Sequence, residues 1–191
     1  MHTPLNITLL AKKGGVGKST VSILLYEAFR QAGKSVSIRD WDAQGTSSKS
    51  LELIHGPNRP DKTDNATIII FDTPPSLEHT ATATAVRSAD IVLVVTSPSP
   101  ADIWEADEAV RFVQAKNPRA NVRVIFNKVR KATVLGRLMD ESAKQVSVPT
   151  LPVNLSAREC YQHAVAQGWK ALDSAAHQEV LQLIVALLSQ Q

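Results

Sequence analysis

The stretch LLAKKGGVGKSTVS, Leu9 to Ser22, joins the end of an apolar run to the start of a helical pattern through a glycine-rich loop. Glycines allow a tight curl in which backbone N–H groups point inward at an anion, and the N-terminus of the next helix adds positive charge. Lys18 and Ser19 stand where such a loop places an ammonium for the β- and γ-phosphates and a hydroxyl for Mg²⁺. The stretch therefore predicts a nucleotide phosphate site between a strand and a helix.

Apolar runs alternate with helical patterns along the rest of the chain. Their nearly continuous apolar character is typical of parallel strands covered on both faces. The runs are ITLLA (7–11), SVSIR (35–39), TIIIF (67–71), IVLVV (91–95) and VRVIF (122–126), with a sixth candidate at TLPVN (150–154). This alternation predicts an α/β fold, a doubly wound parallel sheet in one domain over residues 1–191, with ligands at the carboxyl ends of the strands.

Local signals mark the ends and the buried faces of the predicted helices. Apolar residues from Val21 to Ala32 define the face of the first helix, and Gly33 is placed as its C′ residue. Near the C-terminus, an apolar stripe predicts core packing of the last helix. Its members are Val180, Leu181, Ile184, Val185 and Leu188.

Two further helix starts are predicted from capping boxes. Asp102 followed by Glu105 predicts a helix over 103–116, and Ser156 followed by Glu159 predicts the start of the next-to-last helix. The polar segment HGPNRPDKTDN (55–65) between two predicted elements indicates a connecting loop.

Charge is distributed unevenly along the chain. Residues 111–170 hold eleven Lys and Arg against three Asp and Glu, whereas the whole chain has a net charge of only +3. Such a local excess predicts a basic face directed at a polyanion, whose phosphates release counterions on contact. The candidate DNA-binding residues are Arg119, Arg123, Arg130, Lys131, Arg137 and Lys144, with Arg158 and Lys170 as further candidates.

The glycine loop departs from the plain G-x-x-x-x-G-K-[ST] pattern, because its first glycine position is occupied by Lys12. The segment KGGVGKST, which starts at Lys13, resembles the deviant Walker A motif of the ParA/MinD family of P-loop ATPases. In that family the extra lysine, here Lys13, reaches across a dimer interface to the phosphates of the partner's ATP. The resemblance assigns no role to Lys12. It implies these nucleotide-binding residues: Gly14, Gly15, Val16, Gly17, Lys18, Ser19 and Thr20.

Later motifs extend the resemblance. RDWDAQGTSS is similar to the family's D-x-D-P-Q-G segment, with Ala43 in place of proline. By this match Asp42 orients the attacking water, and Asp40 lies near the metal and the lysines. In FDTPPS, Asp72 matches the Walker B carboxylate, which together with Ser19 holds Mg²⁺ in the family. Asn127 matches an asparagine that contacts adenine.

Within the family, the chain looks most like the small ParF-type plasmid partition ATPases. Only about thirty residues separate Asp42 from Asp72, and TSPSPAD (96–102) and RKATVLGRLMDES (130–142) add to the likeness. The resemblance implies a Mg²⁺-dependent, weak ATPase that dimerises with ATP and binds nucleoid DNA non-specifically. A cargo-bound, ParB-like adaptor would stimulate it. We accordingly expect a cytoplasmic, nucleoid-associated protein that segregates plasmid or chromosomal DNA.

Other members of the family suggest alternatives. The same cycle can position a protein cargo such as a microcompartment or a chemoreceptor cluster, and the sequence does not separate this from DNA segregation. Membrane association in the manner of MinD is disfavoured, because the C-terminal segment has no Lys or Arg after Lys170. The synthetases and amidases of this fold need a substrate pocket for which we find no residues. Cys160 is the single cysteine, which excludes the bridging Fe–S cluster of the iron-protein branch.

Overall fold

The sequence folds into alternating strands and helices, as a computed structural model describes for residues 3–57 and 65–189. The strands are β1 Leu5–Leu10, β2 Val36–Asp40, β3 Ile68–Asp72, β4 Ile91–Thr96 and β5 Asn121–Phe126. The helices are α1 Lys18–Gln31, α2 Thr46–His55, α3 Thr80–Arg87, α4 Pro100–Lys116, α5 Val134–Arg137, α6 Met139–Ala143, α7 Glu159–Gln167 and α8 Ser174–Leu188, with a 3-10 turn at Gly168–Ala171 between the last two. Most of the loop predicted at 55–65 lies outside the described residues.

The five strands form one parallel sheet in the order β2-β3-β1-β4-β5. Helices cover both faces of the sheet. One core cluster packs Ile7 and Leu9 of β1 with α1, α7 and α8, and the second packs Leu10, Val92 and Val94 with α3 and α4. The predicted doubly wound α/β fold is confirmed. Each of the five strands begins and ends within two residues of the predicted first and last residue.

Helix α1 carries the phosphate-binding loop at its N-terminus. Gly33 has a φ of +72°, and Val21 and Phe29 are fully buried, as predicted. Ala32 is exposed because it lies at the end of the helix, beyond the part that packs on the sheet. The helix is thus fixed to the core along its length, which gives the loop at its start a rigid support.

The first predicted capping box is wrong. Helix α4 begins at Pro100 with Ser99 as its N-cap, three residues before the predicted start. Asp102 therefore lies within the first helical turn, where its carboxylate accepts a hydrogen bond of 2.5 Å from the Ser97 hydroxyl. Proline is favoured in the first helical turn because it has no N–H to leave unpaired. That preference moved the helix start ahead of the box.

The second capping box is wrong as well. Helix α7 begins at Glu159, and Ser156 does not cap it. The amide and the hydroxyl of Ser156 donate instead to the Glu179 carboxylate of α8, at 3.0 and 2.8 Å. Arg158 and Tyr161 donate to the same carboxylate, each at 2.8 Å. Ser156 thus acts as a donor to a distant carboxylate and not as a helix cap, and these bonds join the start of α7 to α8.

The sixth strand predicted at 150–154 does not form. The segment makes one isolated bridge, Thr150 to Val124, and the Leu151 amide donates to the Val124 carbonyl at 2.8 Å. Pro152 follows directly and has no N–H with which to continue a ladder. Further along, the Leu155 amide donates to the Phe126 carbonyl at 2.9 Å, so the segment follows the edge of β5 without forming a strand.

The last helix is only partly buried. Val180 and Ile184 pack in the core as predicted, whereas Leu181 and Val185 are 40% and 64% exposed. The predicted stripe is wider than the face that α8 turns to the core. Across residues 3–57 and 65–189, no helix combines the length and the apolar character needed to cross a bilayer.

Candidate nucleotide-binding site

The loop between β1 and α1 forms the predicted curl at the carboxyl end of the sheet. Gly15 and Gly17 have φ values of +85° and +94°, in the left-handed region that favours glycine. A Cβ on Gly17 would lie 2.3 Å from Nδ2 of Asn127, so a side chain here would have to displace the Asn127 amide. All predicted phosphate-binding residues fall in this loop and the first turn of α1: Gly14, Gly15, Val16, Gly17, Lys18, Ser19 and Thr20.

Lys18 and Asp72 form a buried ion pair beneath the loop. Nζ of Lys18 lies 3.6 Å from Oδ1 of Asp72, and the two side chains are 6% and 0% exposed. Neither carboxylate oxygen of Asp72 accepts a hydrogen bond from the described residues. Burial raises the pKa of Asp72, an effect that the Lys18 charge and the nearby Ser19 and Ser47 hydroxyls offset in part. A buried carboxylate with free lone pairs beside serine hydroxyls fits a hard cation such as Mg²⁺.

The two acidic residues after β2 lie at the same edge of the sheet. β2 and β3 pair in a register that sets Asp40 opposite Asp72. The Asp40 carboxylate accepts hydrogen bonds from the amides of Asp42 and Ser48, at 3.1 and 2.8 Å. Oδ1 of Asp42 accepts one from the Gln44 amide at 3.0 Å. Asp40 thus lies beside Asp72 and fixes the loop that carries Asp42 directly after β2.

The two lysines that precede the loop contact α4 of their own subunit. Lys13 forms ion pairs with Asp102 and with Glu105, the latter at 3.5 Å, and Lys12 pairs with Glu108 at 2.5 Å. The hydrogen bond that Lys13 donates to Asp102 raises the pKa of Lys13, and the one that Lys12 donates to Glu108 raises that of Lys12. Sequence reasoning missed these partners because it interpreted Asp102 and Glu105 as a helix cap. To reach a second subunit, Lys13 has to leave this acidic face.

Asn127 lies against the loop at the end of β5. Its Nδ2 donates to the Val16 carbonyl at 2.8 Å, and its side chain is buried. Beside it opens a cavity of about 420 Å³, within the size range of small-molecule sites. The cavity is lined in part by Thr20, Asn127, Lys128, Arg130, Arg158 and Gln162. The amide of Asn127 therefore stands between the phosphate loop and a space that can hold a nucleoside.

The predicted DNA-binding residues do not form one compact patch. Arg119 precedes β5 and Arg130 follows it, so they lie at opposite ends of a strand that spans about 20 Å. Arg123 lies between them and donates to the Val122 carbonyl at 2.8 Å. The other exposed candidates, Lys131, Arg137 and Lys144, belong to the segment after Arg130. Basic charge therefore follows the β5 side of the molecule from one end of the sheet to the other.

Arg158 and Lys170 differ in their availability. Arg158 forms ion pairs with Glu179 at 2.8 Å and with Asp173 at 3.8 Å. Lys170 is exposed in the 3-10 turn before α8. Arg158 is therefore committed to the network between α7 and α8, and its charge is balanced within the chain.

A strand, a phosphate loop and a helix over a buried Lys–Asp pair, in a parallel sheet, define a P-loop nucleoside triphosphatase. The chain belongs to the CobQ/CobB/MinD/ParA nucleotide binding domain family, which it matches over residues 7–169. The resemblance to deviant Walker A ATPases of the ParA/MinD type is thereby confirmed.

Individual relatives are similar over most of their length. The protein named maintenance of carboxysome distribution protein A from Halothiobacillus neapolitanus is 26% identical over 176 residues, 82% of this chain and 81% of that protein. A structure from Borrelia burgdorferi B31, described as a plasmid partition protein bound to AMPPNP, has a TM-score of 0.79 at 18% identity and covers 99% of this chain and 100% of its own. The septum site-determining protein MinD from Pyrococcus horikoshii, complexed with Mg-ADP, has a TM-score of 0.76 at 14% identity and covers 95% and 94%.

Proposed function

We propose that the protein is an ATP-dependent switch that dimerises and positions a protein cargo. The cargo would be of the same kind as the carboxysome, whose distribution the relatives are named for maintaining. The buried Lys18–Asp72 pair at the phosphate loop is the observation that carries the ATPase part. The cargo part is supported by the relative from H. neapolitanus, which is similar over 82% of the chain. The sequence by itself favours DNA segregation, with protein cargo as the alternative, and the relatives support the alternative better.

Different residues of the site act on different parts of the nucleotide. Backbone N–H groups of the loop hold the phosphates, and the Lys18 ammonium binds the β- and γ-phosphates. Ser19 and Asp72 would hold Mg²⁺, whose charge offsets that of the phosphates when it is bound. Asp42 orients the water that attacks the γ-phosphate. Lys13 of one subunit approaches the phosphates of the other, so hydrolysis depends on dimerisation.

We propose that the ATP-bound dimer binds nucleoid DNA in the cytoplasm and uses it as the surface along which the cargo is positioned. The exposed cations along the β5 side bind phosphates without reading sequence. Dimerisation doubles the number of contacts on one assembly and raises its affinity for DNA. A cargo-bound adaptor then stimulates hydrolysis, which separates the dimer and releases the DNA.

Two measurements on the purified protein test the switch. We expect Mg²⁺-dependent ATP hydrolysis, and DNA retention that is strong with ATP and weak with ADP or without nucleotide. Vesicles with anionic lipid serve as a control and should retain little protein. Arg130→Glu with Arg137→Glu should weaken DNA binding and reduce the slope of log K against log salt by about 0.9 for each lost phosphate contact. Equal DNA retention in all nucleotide states would contradict the switch.

Deletion of the gene in its host separates the two cargoes. Loss of regular spacing of a protein compartment in electron micrographs, with normal plasmid retention over many generations, supports the proposal. Plasmid loss with normally spaced compartments supports DNA segregation instead.

A further inference from the structure

Two consecutive side chains at the end of β5 hold the carbonyl groups of the phosphate loop. Asn127 donates to the Val16 carbonyl at 2.8 Å, and Nζ of Lys128 donates to the Gly15 carbonyl at 2.6 Å. In a planar trans peptide the C=O and the following N–H point in opposite directions. The two hydrogen bonds therefore fix the directions of the N–H groups of Val16 and Gly17, which are among the predicted phosphate donors.

The backbone of Lys128 is strained. Its φ is +58°, and it is the one non-glycine residue in the left-handed region among residues 3–57 and 65–189. Its amide is held by Oδ1 of Asn127 at 2.9 Å, which keeps the two side chains next to each other. Strain of this kind persists where the surrounding structure imposes it, and it concentrates at functional sites. Glycine would adopt this conformation without cost but could not supply an ammonium group.

We propose that Lys128 is a positioning residue that tethers the phosphate loop in its nucleotide-binding conformation. The inference deepens the proposed function and rests on ATP binding at this loop. The ammonium contacts the loop carbonyl on the side away from the anion, so its effect passes through the backbone. A charged donor to a carbonyl is stronger than a neutral one, which suits a contact between segments 113 residues apart.

Three substitutions separate the tether from the strain. Lys128→Gly removes the side chain and also relieves the backbone. Lys128→Met keeps most of the alkyl chain and removes the charge, and Lys128→Arg keeps a cation. Lys34→Met is the matched control, because Lys34 is exposed after the end of α1 and lies outside the loop. Each variant is measured for the dissociation constant of a fluorescent ATP analogue, for KM and kcat, and for its urea unfolding midpoint.

We expect Lys128→Gly and Lys128→Met to weaken ATP binding about 10- to 100-fold, the range for loss of a hydrogen bond to a charged group. The kcat at saturating ATP should change less than KM, since bound phosphates re-form the loop. Lys128→Arg should recover most of the affinity. Lys128→Gly should unfold at the parental urea concentration or a higher one, because it loses strain.

The tether is contradicted if Lys128→Gly and Lys128→Met bind ATP as tightly as the parent. It is also contradicted if Lys128→Arg binds as weakly as Lys128→Met while folded, or if affinity falls only together with the unfolding midpoint. These results differ from failure of the proposed function itself, in which the parent protein would bind no ATP.

Discussion

Lys13 forms an ion pair with Asp102 of its own subunit, although the deviant Walker A motif assigns this lysine to the active site of a partner. The Asp102 side chain is 14% exposed and also accepts a hydrogen bond from Ser97. If Lys13 acts in the partner's site as we propose, dimerisation exchanges one anionic partner for another, a carboxylate for the phosphates of the second ATP. On this proposal the Asp102 carboxylate of α4 competes with the partner's nucleotide for the Lys13 ammonium.

Asp102→Asn should consequently favour the ATP dimer. Asparagine keeps the shape and can still accept from Ser97, but it no longer holds the Lys13 charge. We expect dimerisation in ATP at protein concentrations about two- to fivefold lower, the scale of a partly exposed ion pair. Light scattering after size exclusion measures this. Glu108→Gln is the control, because Glu108 pairs with Lys12. A weaker dimer in Asp102→Asn would mean that Asp102 positions Lys13 for the partner.

The two adjacent lysines should differ in their effect on hydrolysis. Lys13→Ala should bind ATP nearly as well as the parent, because Lys18 and the loop amides remain, but hydrolyse it slowly. Lys12→Ala is the matched control and should hydrolyse at the parental rate, since its contact is to the exposed Glu108. Turnover and analogue binding are measured side by side. Parental turnover by a monomeric Lys13→Ala would reject the role of this lysine in the partner's site.

Sequence alone predicts the part of the site that local segments build. Gly17, Lys18 and Ser19 are recognisable because a strand, a glycine curl and a helix follow each other directly. The sequence also predicts that Asp40 and Asp72 lie at one edge of the sheet, since parallel strands bring their carboxyl ends together, whereas their direct pairing depends on the strand order.

Contacts between distant segments cannot be predicted from any local sequence pattern. In the sequence, Lys128 is one polar residue after a strand, and nothing near it indicates a partner. Its hydrogen bond to the Gly15 carbonyl forms only when β5 and the phosphate loop come together in the fold. Asp102 and Ser156 carry helix-capping signals, yet both are taken by partners far away in sequence, Lys13 and Glu179. For Ser156, the contacts to the charged Glu179 carboxylate outweigh a cap that is worth about 1 kcal/mol, whereas the Asp102 cap is lost because the helix starts earlier, at Pro100.

Asp42→Ala should trap the closed dimer. Its loop is fixed by Asp40, so the substitution removes the carboxylate that we propose orients the water and leaves the phosphate loop intact. We expect ATP to keep the variant dimeric for much longer than the parent, with hydrolysis about a hundredfold slower, the lower end for loss of a positioned catalytic group. Asp140→Ala, in the exposed α6, is the control. Parental hydrolysis by Asp42→Ala would assign the water to another residue.

Substitution of Gly136 should weaken DNA binding although glycine has no charged side chain. A Cβ at this position would lie 2.1 Å from the Arg130 carbonyl oxygen, a backbone atom that cannot rotate away. Gly136→Ala therefore has to open the turn that presents Arg130 and Arg137. We expect weaker DNA retention in ATP at unchanged net charge, with Ser142→Ala as a control in the same segment. Parental DNA retention by a folded Gly136→Ala would place the contacts elsewhere on the β5 side.

The Glu179 network should make the stability of the protein depend on pH in the acid range. Burial raises the pKa of Glu179, but the hydrogen bonds from Arg158, Ser156 and Tyr161 outweigh it and lower the pKa to about 2, from 4.5. Because the folded pKa lies below the unfolded one, this contribution is complete above about pH 4.5 and is lost as the pH falls towards 2. Its upper bound at neutral pH is about 3 kcal/mol.

Glu179→Gln should therefore lower the free energy of unfolding clearly at pH 7 and much less near pH 2.5. The comparison uses urea unfolding of parent and variant at both pH values. Glu159→Gln is the control: that side chain is 86% exposed and contacts His163 at 3.4 Å, so its substitution should have little effect at either pH. A difference between Glu179→Gln and the parent that stayed constant from pH 7 to pH 2.5 would show that packing of the residue, not its charge, stabilises the junction of α7 and α8.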